Sequence, residues 1–568
     1  MYTRLAAPTM TPTNPSLLVL LAAVVSHLLF KRHEPTTLKS LAVPLVVLPA
    51  VLSFLPREKP STMLISLFFS YSIFYAGLLL SITAYRISPA HSLAKYPGPL
   101  ACKISKLWLL RVASQGKLHL YVKSLHDKYG PIVRVGPNEL SIADISFLPS
   151  VLGANGMPKG PLWDGRTIGA SSNNFKPAEG VLINARDLKR HAAARKAWNT
   201  AFVPAAIKGY EALLVGRVAQ LIDVLKEQKG RTIDVSRWFS FFSFDFMGDL
   251  AFGGGFELMR EGDKDRLWIT LERGLAFPSL VQHIPWCTMF LRHTPMVGRD
   301  MRALAKFAAE QAQRRLQEGS VHNDLFYFLT EHKRAKGELY PFPLAVANSV
   351  VAIIAGADTT ATVLSNAFFN LLSHPQSYKL LQAEVDEFFP RGPGTKEPTD
   401  ASLLSNMPYL NAVIKETLRL QPPVPTSLQR APTVGGGSKV LGDGFVISEG
   451  TAVLFPPYTI QRDPRYFSPD PDSFIPERWL AAEDDPLSTL NQDAFIPFSA
   501  GPANCIGRNL AMIEMRMVIA HVMRAFDLSF EDGYDRRRWE SDLRDYFVLH
   551  KGRLPVVLHD RIGQGVSA

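Results

Sequence analysis

The chain has 568 residues, 47% of them hydrophobic, with 62 Lys and Arg against 51 Asp and Glu for a formal net charge of +11. This balance suits a globular protein with a membrane part. Its three cysteines, Cys102, Cys287 and Cys505, lie far apart with no C-x-x-C pair, which argues against a zinc cluster or a disulfide scaffold. The basic residues are scattered through helical segments and form no arm or patch, so the charge points to an acidic partner or anionic lipid and away from nucleic acid.

No repeat is visible, and composition shifts only once, near the N-terminus. Apolar stretches at 16–30, 41–55 and 61–85 open the chain. The third carries no charge and is long enough to span a bilayer. The first is short and is followed directly by Lys31 and Arg32, while the second holds Pro44 and Pro49 and reads as kinked or re-entrant. One to three transmembrane helices are therefore expected within 1–86. Arg86, Lys95, Lys103 and Lys106 come next and place the remainder on the cytoplasmic side. Residues 87–99, "ISPAHSLAKYPGP", contain Pro89, Pro97, Gly98 and Pro99 and are expected to form a stiff hinge, as a plain linker or a docking segment. From residue 100 to 568 the pattern is one mainly α body with small β-sheets, an α+β fold class.

Residues 344–372, "LAVANSVVAIIAGADTTATVLSNAFFNLL", have no proline and one glycine, which predicts a long helix through the centre of a domain. As a further membrane span, the helix would carry Asp358 at high cost. Gly356 costs about 1 kcal/mol relative to alanine in a helix interior, so it is expected to admit a flat ligand closely. Thr359 and Thr360 can bond back to the preceding turn and open the helix locally. A buried polar patch satisfied by the helix itself explains the same residues equally well.

"KETLRLQPPVP" puts Glu416 and Arg419 three apart on one helix face, where a surface ion pair of little worth is the plain explanation. "FIPERW" at 474–479 offers Arg478 as a second guanidinium, and a buried Glu–Arg–Arg cluster would lock distant segments together. "GGGSKVLGDGFVI" at 435–447 supplies hairpin turns and lacks the spacing of a phosphate cradle. Last comes "FSAGPANCIG" at 498–507. A lone cysteine commonly packs as a small hydrophobe; Cys505, between Gly501 and Gly507 and before a helical stretch, can instead be a thiolate facing a metal.

In this order, these segments resemble the cytochrome P450 superfamily, from the proline-rich hinge to "HKGRLPVVLHDR". Phe498, Gly501, Cys505 and Gly507 match its haem-binding pattern F-x-x-G-x-[RH]-x-C-x-G, "AGADTT" its oxygen-activation motif, Glu416 and Arg419 its E-x-x-R motif, and "FIPERW" its meander motif. "HAAAR" is similar to the W-x-x-x-R motif, with His191 in place of tryptophan and Arg195 retained. The wording of the hinge and of "QRDPRYFSPDPDSFIPERW" looks like fungal membrane-bound members, especially basidiomycete ones. One position departs: the basic residue two before the cysteine is Ala503 here.

The resemblance implies a haem b cofactor with Cys505 as its axial iron ligand, where a helix N-terminus and backbone N–H groups lower the thiol pKa. Phe498 would shield that face, and Gly501 and Gly507 would permit tight turns. His191, Arg195 and Arg430 are left to neutralise the propionates, with Arg508 as a substitute for the residue missing at Ala503. Asp358 and Thr359 would relay protons. No G-x-G-x-x-G or flavin segment is visible, so electrons are expected from NADPH through a separate cytochrome P450 reductase, with cytochrome b5 as a further donor; Lys189, Arg190, Lys196 and Arg508 are candidates for its docking face. The implied activity is insertion of one oxygen atom from O2 into a lipophilic small molecule, in fungal secondary metabolism, at the endoplasmic reticulum membrane. Segments 150–185, 240–290, 424–428 and 545–550 are expected to line the substrate pocket. The alternatives are a haem-thiolate isomerase or dehydratase that uses no O2, and a non-catalytic haem- or lipid-binding membrane protein.

Overall fold

The computed structural model describes residues 15–33, 35, 37–54, 63–166, 181–264, 266–291, 299–319, 323–331, 341–392, 395–480 and 489–561. The part of the expected pocket lining at 167–180 lies outside the described residues. Two N-terminal helices, α1 (Pro15–Arg32) and α2 (Met63–Ile87), are long and apolar enough to cross a membrane. At ~1.5 Å per residue they extend about 27 and about 37 Å. The stretch between them, Leu38–Ser53, is helical but too short to span. It passes Pro44 in a π turn (Val43–Val47). Pro49 has no N–H to offer the Leu45 carbonyl, and the Tyr75 hydroxyl donates to it at 2.9 Å. Tyr71 and Ser70 likewise donate to the Val46 and Pro49 carbonyls, each at 2.7 Å, so irregular backbone between apolar helices is satisfied by protein.

Residues 87–99 are no free hinge. Leu93 and Tyr96 are buried, Arg134 N donates to Pro97 O at 2.7 Å, and a Cβ on Gly98 would collide with the Arg134 carbonyl. The segment is docked on β1 (Ile132–Gly136).

The body is built of helices α3 (Leu188–Asn199), α4 (Pro204–Glu227), α5 (Val235–Phe252), α6 (Leu267–Val281), α7 (Arg299–Glu318), α8 (Phe342–Ser373), α9 (Pro408–Leu420) and α10 (Arg508–Ala525), among shorter ones. In the main sheet, β1 pairs antiparallel with β2 (Glu139–Ile142), and β4 (Gln429–Arg430) pairs antiparallel with β5 (Ala452–Leu454), which lies parallel to β2. A second sheet joins β3 (Thr232–Asp234), β6 (Phe526–Phe530) and β9 (Pro555–Asp560). A hairpin of β7 (Arg544–Tyr546) and β8 (Val548–His550) turns at Phe547, φ 79°.

Helix α8 runs through the main core and is not a membrane span, although its length and apolarity would allow one. Several of its buried polar side chains are partnered inside the protein: Thr362 Oγ1 donates to Leu549 O at 3.1 Å, Asn370 Nδ2 to Gln421 Oε1 at 3.0 Å, and Trp539 Nε1 to Asn366 Oδ1 at 2.9 Å. Gly356 lies against α5, where a Cβ would collide with Met247 Sδ. Its missing side chain lets two helices approach, which corrects the expectation of a flat ligand there.

Glu416, Arg419 and Arg478 meet in the interior. The Glu416 carboxylate accepts from Arg419 Nε and Nη2 (2.8 and 2.7 Å), Arg478 Nε (3.0 Å), Trp479 Nε1 (2.9 Å) and Ile475 N (3.0 Å). Burial opposes the charged form, yet the hydrogen bonds and charges of Arg419 and Arg478 outweigh it and hold this carboxyl below its ordinary value. Arg419 also reaches the Gln461, Pro471 and Ser473 carbonyls, so the cluster joins α9 to the turns that follow. Removing one partner strands the others, at a cost of about 3–5 kcal/mol. Glu416→Ala is expected to lower the thermal-unfolding midpoint accordingly; a change worth less than about 1 kcal/mol would show a solvated pair of the kind that contributes little.

Candidate functional site

The loop around Cys505 is closed by its own backbone: Cys505 N donates to Phe498 O at 2.9 Å. Ser499 and Gly501 adopt left-handed backbone, φ 59° and 67°. A Cβ on Gly501 would also strike the Leu152 carbonyl, so glycine is required there twice over. Gly507 differs from expectation. Its φ of −82° is ordinary, and a Cβ would make only ordinary contact with Cys505 Sγ at 4.0 Å, so neither a tight turn nor close packing requires glycine there. Cys505 lies deep in the protein and still keeps exposed surface; its thiol faces open internal space. Burial pushes the thiol pKa up, and the N–H groups of Gly507 and Arg508 with the charges of Arg195 and Arg508 pull it down without prevailing. Burial thus works against the lowering expected from a helix N-terminus at this cysteine.

Along α8, Ala355 is exposed while Gly356, Asp358 and Thr359 are half-buried, in the midst of buried neighbours. Thr359 Oγ1 donates to Ala355 O at 2.6 Å, and the helix continues unbroken, without the expected local opening. Asp358 Oδ1 lies 3.9 Å from Lys551 Nζ, just beyond β8. Its Oδ2 has no hydrogen-bond partner. Lys551 was not singled out from the sequence, because only the hairpin fold carries it to α8.

Helix α3 turns His191 and Arg195 inward and leaves Lys189, Arg190 and Lys196 exposed. Arg195 Nη1 and Nη2 donate to Asn504 O (2.6 Å) and Oδ1 (2.8 Å), and Nε to Asn199 Oδ1 (3.1 Å); most of its fork grips the residue before the cysteine. Arg430, on β4, is buried and donates to Gln429 O at 3.0 Å. A third cation joins Arg195 and Arg430 through an isolated bridge to Arg430: Lys159, whose Nζ donates to the Leu182 and Ile183 carbonyls at 3.1 and 2.6 Å. Burial, then repulsion from Arg430 and Arg195, lowers Lys159 to about 7. Burial lowers Arg430 to about 10, and burial with the charges of Lys159, Arg195 and Arg430 lowers His191 to about 4. Burial and the neighbouring cations thus disfavour the charged form of His191 in the protein alone, against its expected role as a charge partner. Cations that repel one another in the interior leave a place for an anion.

The cytochrome P450 family profile matches residues 95–555. The chain belongs to the cytochrome P450 family. It is 34% identical to Cytochrome P450 67 of Uromyces fabae, over 94% of this chain and 96% of the relative. It is 33% identical to a trichothecene C-15 hydroxylase of Fusarium sporotrichioides (83% and 94% covered), and 31% identical to a tryprostatin B 6-hydroxylase of Aspergillus fumigatus (86% and 84%). The P450 family is one of haem-iron monooxygenases supplied with electrons by a redox partner. This chain's residues fit that group: a deep, open thiol and a cation cluster lacking its anion match an iron with two propionates.

Arg508 does not stand in for the cation missing at Ala503. Its guanidinium carbon lies 5.8 Å from the Phe498 ring, and it lines a groove with Lys415, Arg516 and Phe498. Another residue missed in the sequence is Glu514, fully buried on α10 and bonded to Ser243 Oγ (3.0 Å) and Thr360. An acid in the apolar run "AMIEMRMVI" was its only signal. Burial pushes it up to about 8, against the lowering effect of those two hydroxyls.

Two predictions follow from these groups. Lys159→Ala is expected to speed haem transfer to apomyoglobin about tenfold, with Lys159→Arg near wild type; an unchanged rate would place the anion elsewhere. For Glu514, the folded state keeps a proton that the unfolded state releases above about pH 4.5, so its contribution to stability falls as pH rises to about 8 and is then flat. Glu514→Gln should melt with wild type near pH 4.5 and above it at pH 8, by on the order of 2–4 kcal/mol; parallel pH–stability curves would contradict the raised pKa.

Proposed function

We propose that this P450 uses haem b, takes NADPH-derived electrons from a separate cytochrome P450 reductase with cytochrome b5 as a further donor, and hydroxylates a lipophilic small molecule such as a terpenoid in fungal secondary metabolism. The observation that carries the proposal is the deep, open Cys505 thiol, ringed by backbone N–H groups, in a chain whose central helix presents Asp358 and Thr359. The names of the Fusarium and Aspergillus relatives, hydroxylases of trichothecene and tryprostatin B, support hydroxylation as the outcome. The boundaries that suit this reading are a membrane region at 1–86, a connecting segment at 87–99 and a catalytic domain at 100–568. Helices α1 and α2 with the basic residues after them support anchoring in the endoplasmic reticulum membrane with the catalytic domain in the cytoplasm.

In this proposal Cys505 would hold the haem iron through its sulfur, and the thiolate-bound haem would supply the dioxygen-activating chemistry. Arg430 and Lys159 hold the propionates by charge and His191 by hydrogen bonding, while Arg195 braces the Cys505 loop through Asn504. Phe498 covers the sulfur side. Asp358 and Thr359 handle protons. The Thr359 hydroxyl hydrogen is engaged by Ala355 O, so Oγ1 presents lone pairs to an incoming proton donor. Asp358 Oδ2, buried and without a hydrogen-bond partner among the described residues, is the atom that can accept a proton within the site and pass it on. Lys415, Arg508 and Arg516, with Lys189, Arg190 and Lys196 on α3, offer a basic surface to an acidic reductase.

The test is the carbon monoxide difference spectrum of the reduced protein. A Soret band strongly shifted to long wavelength is expected, and its loss in Cys505→His; an unshifted wild-type band would refute thiolate ligation. With reductase and NADPH, Thr359→Ala is expected to release several-fold more peroxide per NADPH than wild type. An unchanged ratio would remove Thr359 from proton handling, and turnover without reductase would favour the isomerase alternative.

A further inference from the structure

Away from the thiol loop, three remote segments meet around one guanidinium. Arg166 ends the short turn Leu162–Gly165, Gln282 and His283 follow α6, and Phe547 forms the tip of the β7–β8 hairpin. The Arg166 guanidinium carbon lies 3.4 Å from the Phe547 ring centroid, and Nη1 donates to Gln282 Oε1 at 3.0 Å. A guanidinium has five N–H donors, and this is the one hydrogen bond that Arg166 makes among the described residues. No carboxylate among the described residues lies within ion-pair distance of it. The acid that acts on its charge is Asp545, whose oxygens are engaged by Thr426 Oγ1 at 2.6 Å and Phe547 N at 3.2 Å. Arg166 sits deep in the protein and still keeps accessible surface, so part of it borders internal space.

The surroundings are rich in donors. Trp163 Nε1 is buried without a partner, its ring 5.6 Å from that of Phe547 and 5.9 Å from the Arg166 guanidinium. His283 Nδ1 is buried and unpartnered as well. Gln282 Oε1 accepts from Arg166, which turns Gln282 Nε2 toward His283 Nε2 at 3.4 Å. With Nε2 as acceptor, the neutral imidazole carries its hydrogen on Nδ1. Among the described residues, four guanidinium N–H groups, an indole N–H and an imidazole N–H therefore find no acceptor, and the opposing charge of Asp545 acts on Arg166 without a direct ion pair.

We propose that Arg166 is a specificity-determining residue that anchors a carboxylate borne by the lipophilic substrate. The inference rests on the proposed function and on the described residues of 150–166, 276–288 and 545–550 forming walls of the substrate chamber. A planar, singly charged carboxylate matches the fork and the single charge of one guanidinium, and it supplies the acceptors that Trp163 and His283 lack. Partial burial beside an aromatic ring strengthens the pairing, because less water competes for the charge.

The experiment is a titration of the haem absorption of the full-length, haem-loaded protein with two acids, dodecanoic acid and abietic acid, each against its methyl ester. At least one acid is expected to bind ten or more times tighter than its ester. Arg166→Gln should weaken that acid at least tenfold and leave its ester within twofold, and Arg166→Lys should fall between. Equal binding of acid and ester, no response to either acid, or unchanged acid affinity in Arg166→Gln would each overturn the assignment and leave Arg166 as a clamp among three segments. Should Arg166→Gln fail to load haem, the wild-type comparison and Arg166→Lys decide. A wild-type protein lacking the long-wavelength carbon monoxide band refutes the haem-thiolate reading itself, whereas equal binding with that band intact overturns only the role of Arg166.

Discussion

The Glu416 carboxylate is the contact on which the rest of the site depends. Five donors converge on it, from α9, from the Arg478–Trp479 turn and from the backbone of Ile475. From there the order passes through Gln461, which donates to the Leu418 and Arg419 carbonyls and accepts from Ile496 N at 2.8 Å. Ile496 stands two residues before Phe498, whose carbonyl closes the Cys505 loop. A buried acid thereby sets the position of a thiol that it never touches. The arrangement has to be complete, since a half-satisfied buried network costs more than an apolar one.

A second constraint is charge. The interior holds Lys159, Arg195 and Arg430 near one another, and a thiol whose ionisation burial opposes. Left alone, these groups are unfavourable: the cations repel and burial disfavours the thiolate. One ligand with a metal at its centre and anions at its rim relieves both problems. The protein's own residues thus argue for the family's cofactor on electrostatic grounds, and Lys159 offers a cation in a chain that lacks one at residue 503.

Helices α1, α2 and α8 are similar in apolarity and differ in surroundings. The first two expose leucine, valine and phenylalanine broadly, as segments facing lipid do. Helix α8 buries Asn348, Thr362, Asn366 and Asn370 and finds partners for several of them across the body. Hydropathy alone does not separate the two cases, whereas the destination of each polar side chain does.

What the sequence determined by itself was the inventory: an apolar N-terminal region, a long central helix with its acid–alcohol pair, a Glu–Arg helix, and one cysteine in a glycine-flanked loop. Those features are local, and helical period and turn chemistry make them legible. Only the tertiary structure decided the partners. Gly356 turned out to serve Met247, Arg195 to grip Asn504 and Arg508 to face the outer groove. Lys159, Lys551, Glu514 and Arg166 acquired significance only when remote segments folded against them. Burial and charge at each of these positions are set by neighbours distant along the chain, and no local pattern encodes which neighbours those are.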